Sequence, residues 1–297
     1  ATYSRDGMAV TGWREDSADK RREGLGASRA ILEPAPPALK VAVVVHVFYL
    51  ELWPEISGHL SKLDSPFDVH VTCCDDHQAD VGAAVLADFP DAHIHPYPNQ
   101  GMDMVPFLRL IPNLKAMGYG LVCKLHTKRG VEPFGALWRE HLLETLVGSS
   151  ATVRELIEAF NRDPLLVLAG PEALYLSAHT TMYENRPMLE RLASAMEQPP
   201  NLLDDWGFFA GSMAWMRVDA LMQLATAMNK TFDFSEPQVK HSSNTDGEWP
   251  HTLERAMGWA DASKKIALLS APLNQRDQCK SRPQDLRLRM RKEISQN

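Results

Sequence analysis

Between residues 41 and 269, short apolar runs alternate with stretches whose apolar residues recur at helical spacing. The strand-like runs are Val41–Val47, Phe67–Cys73, Ala92–Tyr97, Leu121–Leu125, Leu165–Ala169, Ser212–Arg217 and Lys265–Leu269. Val41–Val47 is dominated by valine, the pattern of a strand covered on both faces. Helical spacing appears at Leu52–Leu63, Val81–Phe89, Met104–Met117, Ala136–Val147, Val153–Phe160, Val218–Met228 and Pro250–Met257. Strands separated by helices predict an α/β, Rossmann-type fold, with a mostly parallel sheet flanked by helices on both faces. In such sheets ligands bind beyond the carboxyl ends of the strands.

The reading divides the chain into a tail or linker at 1–39, a domain at 40–273 and a basic tail at 274–297. Residues 1–39 balance six basic against six acidic side chains and end in the proline-rich Pro34–Pro37, a semi-rigid spacer. Arg276–Lys292 carries seven basic and two acidic residues, which suits peripheral contact with an anionic membrane face or plain solvation. No apolar run approaches the ~20 residues that span a bilayer. The net charge of −7 argues against a general nucleic-acid binder. Cys73, Cys74, Cys123 and Cys279 form no C-x-x-C pair, so buried reduced thiols are expected. The first thirty residues lack the apolar segment of a signal peptide, which favours a cytoplasmic location. The chain does not begin with Met and fits one module of a larger protein.

Ionisable groups follow four successive strand-like runs: His46 after the first, Asp76 in Cys74-Asp75-Asp76-His77, Asp103 in Asn99-Gln100-Gly101-Met102-Asp103, and Lys124-Leu125-His126-Thr127-Lys128-Arg129. The last holds three permanent cations and a histidine without an acid. Strand alternation puts Lys124, His126 and Lys128 on one side. Like charges this close call for an anion, and a diphosphate suits lysines acting as point charges; pairing with nearby carboxylates is the alternative. Asp103 doubles as a helix N-cap, Gly101 as a turn residue, and His46 as a core histidine. Asp205 opens a segment through Phe208, Phe209, Gly211 and Ser212 that suits packing along a sugar, although the two phenylalanines fit a core equally well. Asp246 and Glu254 flank the start of a helix and are carboxylates of the kind a general base requires. No H-E-x-x-H, Walker loop, G-x-S-x-G elbow or G-x-G-x-x-G is present, so the hydrolase, NTPase and dinucleotide-oxidoreductase readings lack their motifs.

Taken in order, His46-Val47-Phe48-Tyr49, Asn99-x-Gly101-x-Asp103-x-x-Pro106-Phe107-Leu108, Lys124-Leu125-His126-Thr127-Lys128, Phe209-Ala210-Gly211-Ser212-Met213-x-Trp215-x-Arg217 and Asp246-Gly247 with His251-x-Leu253-Glu254-Arg255 resemble the rhamnan synthesis protein F family over roughly residues 40–260. Met102 stands where that family usually carries Arg. The resemblance implies a GT-A-like fold and a glycosyltransferase of bacterial polysaccharide assembly. It would take dTDP-rhamnose, or a UDP or GDP sugar, to a lipid-linked or polysaccharide acceptor. GT-A enzymes usually hold a divalent metal with Asp-x-Asp; the corresponding run here ends in Lys124-x-His126-Thr127-Lys128. Expected, then, is metal-independent diphosphate binding by His46, Asp76, Asn99, Gly101, Asp103, Lys124, His126, Thr127 and Lys128. Phe209, Gly211 and Ser212 are expected at the acceptor or sugar, and Asp246, then Asp205 and Glu254, as base in an inverting transfer. A catalytically silent glycan-binding or scaffold module is the alternative.

Overall fold

The structure of the protein, a computed structural model, describes residues 38–130, 134–198, 206–235, 247–259 and 265–270. The first half runs β1 (Lys40–Val47), α1 (Trp53–Leu60), β2 (Asp68–Cys74), α2 (Gln78–Asp88), β3 (His93–Tyr97), α3 (Met104–Ala116), β4 (Tyr119–His126), α4 (Phe134–Val147) and α5 (Ser150–Arg162). The second half runs β5 (Leu166–Pro171), β6 (Tyr175–Ser177), α6 (Arg186–Ala195), β7 (Gly207–Phe209), β8 (Ala214–Arg217), α7 (Val218–Thr231), α8 (Trp249–Ala256) and β9 (Lys265–Leu269). Residues 1–37 of the first tail, the whole of the second, Cys279, Asp205 and Asp246 lie outside the described residues.

Seven strands form one sheet in the order β3-β2-β1-β4-β8-β5-β9, and β6 and β7 form a separate two-stranded ribbon. β1 pairs in parallel with β2 and β4, β2 with β3, and β5 with β9. The mostly parallel α/β sheet is therefore as expected, with one correction. β8 runs antiparallel to both β4 and β5. Parallel neighbours need a crossover back to the starting edge. Here the chain instead turns into β8 through Gly211 (φ +93°) and Ser212 (φ +52°). Those two left-handed residues also explain why the strand begins at Ala214 and not at Ser212. β6, β7 and α6 escape a reading by periodicity, the strands because three residues carry no period.

Each face of the sheet is buried under its own apolar layer. Val41, Val43, Val45 and Val47 pack with α1, α2, α4 and α5, whereas Ala42 and Val44 pack with α3, α6, α7 and α8. This two-sided burial is the physical origin of the near-continuous valine run. On β4, Leu121, Cys123 and Leu125 join the first layer and Val122 the second. Alternation therefore turns Lys124 and His126 toward the α3 side. Among the described residues, no helix is long and apolar enough to cross a membrane.

Candidate functional site

Strand order reverses between β1, which leads outward to β2 and β3, and β4, which lies on its other side. Such a switch point opens a crevice at the carboxyl ends of the strands. The register sets His46 opposite His126 at that end, and Ala214 opposite Lys124. α3 starts over the crevice with Asp103 at its N-cap position, yet the Asp103 side chain makes no capping hydrogen bond. Its carboxylate is turned inward instead. Lys124 Nζ donates to Asp103 Oδ2 and, at 3.0 Å, to Ser212 Oγ. Ser212 Oγ donates to the same Asp103 oxygen at 2.9 Å. His126 Nδ1 lies 3.4 Å from it, close but not aligned for a hydrogen bond. His46 shares a 2.9 Å hydrogen bond with the buried Thr72.

Two left-handed turns meet at this cluster. Gly101 (φ +68°) and Met102 (φ +49°) deliver Asp103, and Gly211 with Ser212 delivers the hydroxyl. A Cβ at Gly101 would stand 2.1 Å from Val105 Cγ2, so this glycine is demanded by its own turn. Met102 and Ser212 each hold a conformation that costs an L-residue about 1–2 kcal/mol, and strain of this kind concentrates at functional sites. Glu254 Oε1 accepts from Gly211 N at 2.7 Å and so anchors the second turn.

Burial dominates the titration of the cluster. It pushes His126 down to about 3 and His46 down to about 4, against the pull of Asp103. Burial works against the Asp103 carboxylate too, but His126, Lys124 and the Lys124 hydrogen bond hold it well below the usual carboxylate range. Both histidines are thus neutral at pH 7 beside an ionised Asp103–Lys124 pair. The folded pKa values lie below the ordinary histidine value of 6.5, so the unfolded chain takes up protons first as the pH falls. Stability present above pH 6.5 is then lost toward pH 4, by about 1.4 kcal/mol per pH unit for each histidine. Urea unfolding across that range should show His126→Gln with a shallower slope than wild type; equal slopes would count against a buried neutral His126.

The remaining residues of the β4 end have different duties. β4 ends at His126, so the expected shared side holds for Lys124 and His126 but not for Lys128. Lys128 Nζ lies 4.2 Å from the Trp138 ring centroid, is half-buried and makes no ion pair among the described residues. Burial lowers its pKa, with Glu254 and Asp103 opposing. Thr127 Oγ1 accepts from Phe48 N (2.9 Å) and Tyr49 N (3.0 Å), pinning the turn after β1. An open row of three cations is therefore not what forms. Lys124 is 1% exposed and neutralised by Asp103; Lys128 is the cation left over.

The chain matches the rhamnan synthesis protein F family over residues 28–266. It belongs to that family. Two curated relatives in Xanthomonas campestris pv. campestris, both described as uncharacterized protein WxcX, are 29% identical to it over 244 residues, covering 80% of this chain and 34% of theirs. This rhamnan synthesis F chain thus spans about a third of the length of those relatives. A solved 4-diphosphocytidyl-2C-methyl-D-erythritol synthase from Anaerococcus prevotii aligns over 86% of this chain and 97% of its own, at 9% identity and a TM-score of 0.39, too slight a likeness to argue from.

In this family member the fold gathers His46, Gly101, Asp103, Lys124, His126, Thr127, Lys128, Gly211, Ser212 and Glu254 about the carboxyl ends of β1 and β4. Asn99 is exposed. Asp76 lies on the next strand end, exposed and 3.9 Å from His77. Phe209 is 3% exposed and packs on Tyr175 in the core, so its ring has no face for a sugar. Sequence reasoning missed Thr72 and Trp138, which carry no local signal because only the sheet and α4 bring them to His46 and Lys128. A divalent metal on a diphosphate at the β4 end would need carboxylates. Among the described residues the carboxylates beside it are already engaged, Asp103 by Lys124 and Ser212 and Glu254 by Gly211 N, so this donor set does not fit that ion.

Proposed function

We propose that this chain is an inverting, metal-independent glycosyltransferase domain. It moves rhamnose or a similar sugar from a nucleoside diphosphate donor to a growing lipid-linked or polysaccharide acceptor. Membership in a family named for rhamnan synthesis supports the pathway. The observation that carries the chemistry is Lys128, a half-buried cation without an acid partner among the described residues, beside a neutralised Asp103–Lys124–Ser212 cluster at the sheet's switch point. In this reading Lys128 stabilises the departing diphosphate. Lys124 positions Asp103 and the Ser212 turn, Glu254 holds that turn through Gly211, and neutral His46 and His126 line the floor. Asp246 serves as the base that takes the acceptor's proton, with Asp205 behind it. dTDP-rhamnose is the first donor to test, before UDP and GDP sugars.

Calorimetry of dTDP, UDP and GDP with the purified chain, in EDTA and then in Mg²⁺, tests the reading. One nucleotide should bind equally in both. Transfer that EDTA abolishes and Mg²⁺ or Mn²⁺ restores would refute metal independence. A second reading, a silent glycan-binding or scaffold module, draws on the mutual neutralisation of Lys124 and Asp103; it predicts that none of the three nucleotides binds.

A further inference from the structure

Cys73 and Cys123 sit in the apolar layer of α1, α4 and α5, where a free thiol behaves as a small hydrophobe. Cys74 is different. It is 3% exposed but belongs to none of the apolar clusters. As the last residue of β2 it borders the one-turn helix Asp75–His77, whose Asp76 and His77 side chains are 77% and 46% exposed. The Cys74 Sγ, an Asp76 carboxylate oxygen and a His77 ring nitrogen all lie within 4.8 Å of one another. Asp76 and His77 already lean together at 3.9 Å, and the His77 ring rests against Phe48 at 6.0 Å between centroids.

A thiolate, an imidazole and a carboxylate make a mixed donor set. It suits Zn²⁺ and related borderline ions, whereas Mg²⁺ takes oxygen ligands alone. Three protein ligands on a four-coordinate ion leave one position for water or an incoming group. The thiol must give up its proton to the solvent as the metal–sulfur bond forms.

We propose that Cys74, Asp76 and His77 bind one zinc-class ion at the carboxyl end of β2, with its fourth position open. The site lies on a different strand end from Lys124 and Lys128, and does not depend on the transferase reading.

The test is a Co²⁺ titration of the full chain under non-chelating reductant, after metal has been stripped. Expected are one equivalent bound, a thiolate-to-cobalt charge-transfer band, its loss on adding Zn²⁺, and its persistence in excess Mg²⁺. Cys74→Ser should remove the band. His77→Ala, at an exposed position that leaves folding intact, should weaken binding by at least about tenfold, since even outer-shell changes cost that much. No thiolate band in the wild type, an undiminished band in both variants, or displacement by Mg²⁺ would each overturn the assignment.

Discussion

Lys124→Ala should lower the stability of the fold by about 3–5 kcal/mol, and its melting temperature by on the order of ten degrees. The cost is not that of a lost surface contact. Lys124 is 1% exposed and the Asp103 side chain 14%. Removing the ammonium leaves an ionised carboxylate in a site that water reaches poorly, with only the Ser212 hydroxyl still donating to it. Asp103→Ala should cost nearly as much, by stranding the ammonium. The decisive measurement is a double-mutant cycle by urea unfolding. Lys124→Met with Asp103→Leu removes both charges and should be far less damaging than the sum of the single variants, because apolar replacements of a buried pair are often neutral. Additive losses would show that the pair is not the source of the stability. For this reason Lys124→Ala is a poor probe of nucleotide binding: it removes the platform that orders the crevice.

Lys128→Ala isolates the chemistry. Its contact with Trp138, at a half-buried site, is worth about 1–2 kcal/mol, so the variant should fold. If Lys128 faces the leaving diphosphate, nucleotide affinity should drop and turnover fall roughly 10²- to 10³-fold, as for loss of one donor aimed at developing negative charge. Asp246→Asn should behave in the opposite manner. Its nucleotide affinity should stay at the wild-type value while turnover falls by about 10²-fold or more, since a base acts on the acceptor and not on the donor. Calorimetry combined with initial rates separates the two. Equal losses of affinity in both variants would merge their roles and undo the assignment.

The α/β alternation and the singular character of Lys124-Leu125-His126-Thr127-Lys128 were readable in the chain, because two-sided burial writes apolar runs and helices write a period. The family followed from ordered motifs in the same way. What the residues alone could not decide was partnership. Asp103 is 21 residues from Lys124, and Ser212 is 88 residues beyond it; nothing local distinguishes a lysine that meets phosphate from one that meets a carboxylate. The reversal of β8, which brings the Gly211–Ser212 turn over β4, depends on two left-handed residues, and sequence patterning reads Ser212 as the first residue of a strand. Local sequence dictates elements, because their hydrogen bonds and periodicity are local. Which charges neutralise one another, and which cation is left over, is decided by strand order and register, which only the tertiary structure sets.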